Sequence, residues 1–397
     1  MRIGIASPLS CYYFQDYLYP ESAEIASRLS NYITPIVTGL VVSFLRQGHD
    51  IVAFTKDSKA KKYYKLSGPN LVVYVIPTMH KGWRKLLNKF LIPDIWLIAT
   101  MLRSKEKLDV MSVQWTRDFA FGARRFFNVC PITVTVRDVI PVISQMQPIS
   151  WSTKMWNELT MKESRYHLIA NSEYTKDMIK KVWNRDSIVI HNCLSELFID
   201  YHQEEKYKSF TYVSISASND GRKNIINLLL AFKLIHREFP LTQLILIGPY
   251  FTDNNERIKE WRNRGLCDGV LMLGPQNSPQ IKSILTKSHC LVHPSIEESF
   301  GNTLIEAMSC KCLVIGGEQS GAVPYVLKHG EIGLLCNVND HISIKDSMIK
   351  AYNDDNDHIV NKAFEVVHAE YTPQMFLNNY IRYFEELICN FRKTKDA

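Results

Sequence analysis

Short apolar runs alternate with helical patterns along the whole chain. In the first half the runs are Ile3–Ala6, Ile51–Thr55, Leu71–Ile76, Val110–Gln114, Ile132–Val136, Leu168–Ala170 and Ser187–Ile190. Helical periodicity lies between them, near Pro35–Arg46, Trp83–Leu102, Arg117–Phe126, Ser152–Glu163 and Tyr174–Val182. This alternation predicts a parallel sheet covered by helices on both faces. Gly48-His49-Asp50 reads as a helix stop running into a strand. The stretch ELFIDYHQEEKYKS, from Glu196 to Ser209, is polar and aperiodic and reads as a connection between domains. The alternation then resumes. Strands are expected at Thr211–Ser216, Gln243–Ile247, Gly269–Leu273, His289–Val292, Cys312–Ile315 and Gly333–Leu335. Helices are expected at Ile225–Phe239, Asn254–Arg264, Ser278–Thr286, Thr303–Ser309, Ala322–Lys328 and His341–Ala351. The final pattern, Pro373–Phe391, is long and rich in aromatics. The expected fold class is α/β, with two doubly wound Rossmann-like domains facing a central cleft. Residues 1–195 form the first, residues 196–372 the second, and residues 373–397 cross back onto the first. In such sheets ligands bind beyond the carboxyl ends of the strands.

Composition adds constraints. A hydrophobic share of 46% with 22% charged residues suits a soluble globular enzyme of 397 residues. The first residues, MRIGIASPLS, are already strand-like and lack the pattern of a secretory signal. No apolar run is long enough to span a bilayer, so a cytoplasmic location is expected. The nine cysteines are scattered without a Cys-x-x-Cys pair, which points to reduced thiols rather than a disulfide framework or a zinc site. Charge is uneven: +11 over residues 1–195 and −4 over residues 196–397. A basic first half suits an anionic partner, whether a phospholipid surface, a lipid pyrophosphate acceptor or nucleic acid; a merely solvated basic face is the plain alternative. The segment from Lys81 to Ile92, with Trp83, Arg84, Lys85 and Lys89, is the candidate for peripheral contact with an anionic membrane. It could equally pack its apolar side on the sheet. No recognition motif accompanies the basic residues, so nucleic acid is not an expected partner.

The richest chemistry lies in HPSIEESFGNTLIEAM, from His293 to Met308. It reads as a strand end, a loop with Glu297 and Glu298, a turn through Ser299, Phe300, Gly301, Asn302 and Thr303, and a helix carrying Glu306. A helix start offers unpaired N–H groups and partial positive charge, which suits a phosphate. Gly301 allows close backbone approach. Carboxylates on either side could take ribose and sugar hydroxyls, so the stretch suggests a pocket for a nucleotide-diphosphate sugar. Glu297 reads as the solvated member of its pair. Arg222 and Lys223 stand at a loop-to-helix junction, where cations could neutralise a diphosphate leaving group. Thr38 and Gly39 open a helix after a long aromatic-rich loop, Cys11–Tyr32. Arg137 and Asp138 end a strand at the cleft, where they could orient a sugar or an acceptor hydroxyl, or pair with each other. The histidines lack metal spacing, and Asp355 and Asp357 lie in a polar run that reads as a solvated loop.

The run HPSIEESFGNTLIEAMSCKCLVI, followed by GGEQSGAVPYVLKHGEIGLL, resembles the carboxyl-terminal signature of glycosyltransferase family 4, whose fold is called GT-B. The matching elements are Glu298, Phe300-Gly301, Glu306-Ala307-Met308, Gly321 with Pro324, and Gly330 with Gly333-Leu334-Leu335. Similar pieces are IANSEYTKDMI with VIHN, GRKN with LLLAF, and LILIGP. The resemblance implies that Glu298 faces the donor sugar and Glu306 binds the ribose. It implies that Ser299, Phe300, Gly301, Asn302 and Thr303 hold the diphosphate and sugar. By the same resemblance Lys223 and Arg222 act on the leaving group, Arg137 and Asp138 join the catalytic set, and Thr38, Gly39, Gly248 and Met272 touch the donor. Three positions depart from the family pattern. Ser218 and Ala217 stand where an arginine usually precedes the lysine, Gly39 stands where a glycine pair is usual, and Arg137 stands where relatives often carry histidine. The implied activity is retaining transfer from a nucleotide-diphosphate sugar to a hydroxyl of a glycan or lipid-linked acceptor, in bacterial surface-polysaccharide assembly, with no metal or other cofactor. A nucleotide-sugar 2-epimerase and a non-catalytic glycan-binding paralogue stay open as alternatives.

Overall fold

Residues 1–29, 35–78, 92–218 and 221–396 are described by the computed structural model. The strands of the first domain are β1 (Arg2–Ala6), β2 (Asp50–Asp57), β3 (Tyr64–Ser67), β4 (Leu71–Pro77), β5 (Val110–Val113), β6 (Ile132–Val136), β7 (Tyr166–Ala170) and β8 (Ser187–Val189). Its helices are α1 (Pro20–Arg28), α2 (Pro35–Arg46), α3 (Ile92–Leu102), α4 (Asp118–Ala123), α5 (Ile140–Met146), α6 (Trp151–Met161) and α7 (Glu173–Trp183). The second domain contains β9 (Thr211–Ile215), α8 (Ile225–Glu238), β10 (Gln243–Ile247), α9 (Glu256–Asn263), β11 (Val270–Gly274), α10 (Ser278–Lys287) and β12 (Cys290–His293). It continues with α11 (Asn302–Ser309), β13 (Leu313–Gly317), α12 (Val323–Val326), β14 (Leu334–Cys336), α13 (His341–Asn353) and α14 (Asp357–Glu370), and α15 (Pro373–Asp396) ends the described chain.

The first sheet runs β3-β4-β2-β1-β5-β6-β7-β8 and the second β11-β10-β9-β12-β13-β14. All pairings are parallel except β3 on β4. Side chains alternate across each sheet because successive strand residues point to opposite faces. Thus Ile3, Ile5, Ile51 and Ala53 join one core of the first sheet, while Ala6, Val52 and Phe54 join the other. The second sheet divides in the same way: Val213, Ile245 and Ile247 lie on one side, and Tyr212, Leu244 and Leu246 on the other. Strand order reverses at β1/β5 in the first sheet and at β9/β12 in the second. Crossover helices leave in opposite directions there, and a crevice opens beyond the strand ends.

The last helix belongs to the first domain's core. Phe376, Tyr380, Phe384 and Ile388, spaced four apart, pack with Leu40, Phe44 and Ile5. Phe384 stacks on Phe44 at 5.9 Å, and the Tyr380 hydroxyl lies 3.0 Å from Thr135 Oγ1. This spacing keeps one stripe facing the sheet for more than three turns.

Four elements differ from the expected pattern. The presumed loop Cys11–Tyr32 contains a 3₁₀ turn at Cys11–Tyr17 and then α1, which Pro20 starts at a position where a missing N–H is harmless. The antiparallel edge strand β3, Tyr64-Lys65-Leu66-Ser67, buries Leu66 and leaves Lys65 exposed. Helix α5 carries Pro141 in its first turn. Helix α14 begins within the acidic run expected to be loop, with Asp357 in its first turn. The helical pattern expected from Trp83 is seen from Ile92 onward; residues 81–91, including most of the basic aromatic segment, lie outside the described residues.

Candidate functional site

Two loops flank the switch point of the second sheet, one after β9 and one after β12. Asn224, in the left-handed region at φ 54°, donates its side-chain amide to the carbonyls of Pro294 (3.1 Å) and Val338 (2.7 Å). The Ile296 amide donates to the Arg222 carbonyl at 2.8 Å, and Arg222 Nη1 donates back to the Glu297 carbonyl at 2.8 Å. These bonds hold the Gly221–Lys223 3₁₀ turn against the glutamate loop. Lys223 Nζ consequently bonds Glu298 Oε1, and Arg222 Nη1 stands 3.9 Å from Oε2. His293, buried at the end of β12, places Nε2 3.2 Å from Glu298 Oε1 and Nδ1 3.3 Å from Thr303 Oγ1. A carboxylate can only accept, so Nε2 carries a proton and donates to it. Burial opposes ionisation of Glu298, but the His293 hydrogen bond and the Lys223 charge hold its carboxyl well below the usual range.

Glu297 corrects the sequence reading. It is only 7% exposed rather than solvated. The turn at Gly321 (φ +61°) closes over it, and a Cβ there would stand 2.3 Å from the Glu298 carbonyl and 2.9 Å from Glu297 Oε1. Burial pushes the Glu297 carboxyl up to about 7, against the hydrogen bond from Tyr174. Tyr174 comes from α7, so the first domain reaches this loop.

The helix start is held from two sides. Gly301 takes φ 91°, and a side chain there would meet Leu304 at 2.9 Å. Phe300 is buried against His191 and Tyr371, with ring centroids 6.2 and 5.8 Å away, so its side chain anchors the turn. The Ser299 carbonyl accepts from Ser172 Oγ at 2.7 Å and from Thr175 Oγ1 at 3.3 Å, at the start of α7. Asn302 is exposed, and its Oδ1 accepts from Asn192 Nδ2 at 2.9 Å. Glu306 is half-buried one turn further on. Burial pushes its carboxyl up to about 7, and no cation lies within ion-pair distance among the described residues.

From the first domain, Asp138 joins this cluster. Burial raises its pKa, the charges of Arg117 and Arg222 oppose the rise, and Glu298 adds to it. Arg137 does not sit with Asp138 as a plain ion pair. Its Nη1 donates to Asn192 Oδ1 (2.8 Å) and its Nη2 to Gln114 Oε1 (2.7 Å), so both ends are committed to amide oxygens.

The remaining residues expected at the donor, Thr38, Gly39, Gly248 and Met272, make none of the bonds described above. Thr38 and Gly39 line a cavity of about 430 Å³ shared with Ser195, Glu196 and Phe376, none of which belongs to the Glu298 cluster. Gly248 is required by packing, since a Cβ would stand 1.9 Å from the Ser216 carbonyl. Met272 packs against the hydrophobic layer containing Tyr212 and Phe232. His293, Asn192, Ser172 and Arg117, stacked 4.7 Å from Trp115, were not singled out from sequence. Asn192 and Ser172 do lie in the quoted pieces VIHN and IANSEYTKDMI, which was the only signal for them. Among the described residues no helix is long and apolar enough to cross a membrane.

Two facing α/β domains with their charged crevice between them define the GT-B class. Solved structures share this fold over nearly the whole chain. Sucrose-phosphate synthase from Thermosynechococcus elongatus superposes with a TM-score of 0.78 at 15% identity, covering 98% of this chain and 100% of that one. Anabaena HepE in complex with UDP and glucose gives 0.69 at 15% identity, covering 98% and 100%. Residues 200–365, in the second domain, match the family described as glycosyl transferases group 1. N-acetyl-alpha-D-glucosaminyl L-malate synthase of Bacillus anthracis is 31% identical over 162 residues, which are 40% of this chain and 41% of that protein. The O-antigen chain mannosyltransferase RfbU of Salmonella typhimurium is 28% identical over 190 residues, 46% and 51% of the two chains. The matched stretch thus spans about half, or less, of these curated relatives.

Proposed function

We propose that this protein is a retaining glycosyltransferase that moves a sugar from a nucleotide-diphosphate sugar to a hydroxyl of a glycan or lipid-linked acceptor. The observation that carries the reading is the Glu298–Lys223–Arg222–His293 cluster at the β9/β12 switch point, beside the Gly301 helix start. The helix amides and the two cations receive the diphosphate. Glu298, kept ionised, accepts hydrogen bonds from the sugar, and Glu306 accepts them from the ribose. As the glycosidic bond to the diphosphate breaks, charge grows on the leaving oxygen, where Lys223 and Arg222 stabilise it. That oxygen takes the acceptor hydroxyl's proton on the same face, which preserves the anomeric configuration. Fixed cations and helix amides supply the charge that a metal would otherwise provide. The named activity of the Salmonella relative supports a role in bacterial surface-polysaccharide assembly.

A thermal-shift panel of nucleotides and nucleotide sugars tests the donor, because a specific ligand raises the melting temperature by mass action. The anomeric configuration of the product formed with the selected donor, in the presence and absence of EDTA, then tests retention and metal independence. An inverted product, or turnover abolished by EDTA, contradicts those two parts. Product formed without any acceptor contradicts transfer.

A further inference from the structure

The first domain sends a polarised hydrogen-bond chain into the second. It begins at Arg137, which has donors only. Nη2 donates to Gln114 Oε1 at 2.7 Å and Nη1 to Asn192 Oδ1 at 2.8 Å. The orientation of Asn192 is thereby forced: its oxygen faces the guanidinium and its NH₂ faces away. That NH₂ donates to Asn302 Oδ1 at 2.9 Å, which forces Asn302 in turn. The end of the chain is therefore the NH₂ of Asn302. It is exposed, sits on the first residue of α11, and has no partner among the described residues. The N–H groups of Asn302 and Thr303 also have no partner among the described residues, and the first paired one is that of Leu304, which donates to the Gly301 carbonyl at 2.9 Å. Reversing Asn192 would set its N–H against the guanidinium, reversing Asn302 alone would set N–H against N–H, and the bond from a partly buried cation is of the stronger, charge-assisted kind.

We infer that Arg137 and Asn192 are positioning residues that hold Asn302 with its NH₂ toward the cleft, where it donates to the diphosphate of the donor. The inference rests on the proposed donor site and names a side-chain contact within it. It also gives the partly buried Arg137 a purpose that its distance from any carboxylate partner leaves open, and it makes donor affinity depend on the first domain.

Isothermal titration of the full chain with UDP and with GDP tests this. Asn302→Ala should weaken nucleotide binding roughly tenfold and Asn302→Asp roughly a hundredfold, the scale of a lost hydrogen bond to a charged group and of an added repulsion. Asn192→Asp offers Asn302 only acceptors, so Asn302 turns and presents its oxygen to the phosphate. Binding should then weaken at least as much as in Asn302→Ala. In an Asn302→Ala background Asn192→Asp should add nothing, whereas a merely structural role for Asn192 would weaken both backgrounds alike. Wild-type affinity in Asn302→Asp, or equal losses in the two backgrounds, overturns this proposal while leaving the donor site in place. Failure of the unmodified protein to bind UDP, GDP or any other nucleotide of the thermal-shift panel overturns the donor reading and this proposal with it.

Discussion

The two sheets reverse their strand order in the same manner, yet they furnish the cleft with different chemistry. At β9/β12 the second domain gathers charge: Lys223, Arg222 and Glu298 meet within a few ångströms. Beyond β7 and β8 the first domain offers an amide and a hydroxyl instead: Asn192 and Ser172 bond to the second domain's loop, and Gln114, after β5, holds Arg137 behind Asn192. The comparison teaches a division of labour. One domain supplies the charged cluster, and the other holds the loop and helix start beside it.

If the last helix is what makes the first domain a stable platform, Phe384→Ala should have the largest effect. Its ring is fully buried, and such truncations cost about 3–5 kcal/mol. Denaturant titration should show the loss; a change under 1 kcal/mol would mean that α15 is not part of that core. The charge side of the division predicts that Lys223→Ala lowers turnover roughly a hundredfold, about 2.7 kcal/mol at the transition state. Steady-state kinetics reads this directly, and wild-type turnover would remove the lysine from the mechanism. The positioning side predicts less for Ser172→Ala. The hydroxyl caps α7 and holds the Ser299 carbonyl, and its removal should lower stability by about 1 kcal/mol with a parallel rise in donor KM. An unchanged KM would separate that contact from the site.

The smallest expected effect concerns pH. Glu306 titrates at about 7 in the folded chain against an ordinary 4.5. Between those values the folded form keeps a proton that the unfolded form has released, so stability declines as pH rises through this interval. Glu298 acts in the opposite sense: its depressed pKa contributes stability above the ordinary carboxylate range, and that contribution fades as pH falls below it. Glu306→Gln should flatten the decline seen between about pH 4.5 and 7 in thermal unfolding, leaving the share that belongs to Glu297. An unaltered slope would mean that Glu306 is not the group responsible.

Much of the second domain could be read from residue order, because its signals are local. Glu298, Gly301 and Glu306 fall on one strand–loop–helix unit, so their spacing already places them together. The strand runs there were legible to within about two residues of their observed ends, since a buried parallel strand needs an uninterrupted apolar run. Helix α1 and strand β3 were not legible. Both lie on polar stretches whose order comes from packing and edge pairing rather than from periodicity.

Residue order therefore specifies the alternation of strands and helices, the two-domain α/β architecture and the charged residues of the β12 loop, because each follows from periodicity or spacing within a few turns of chain. Tertiary structure decides the rest. Glu297 was assigned to solvent because an acid in a loop is usually exposed, but Gly321, 24 positions onward, folds over it. Arg137 ends a cleft strand, where it could orient a sugar or pair with Asp138; only the folded chain shows that Gln114 and Asn192 set its orientation and that Asn192 links it to Asn302. A hydrogen bond forms wherever folding brings a donor and an acceptor within about 3 Å, whatever their separation in sequence. That is why the charges of this site can be read along the chain, and the network that aims them cannot.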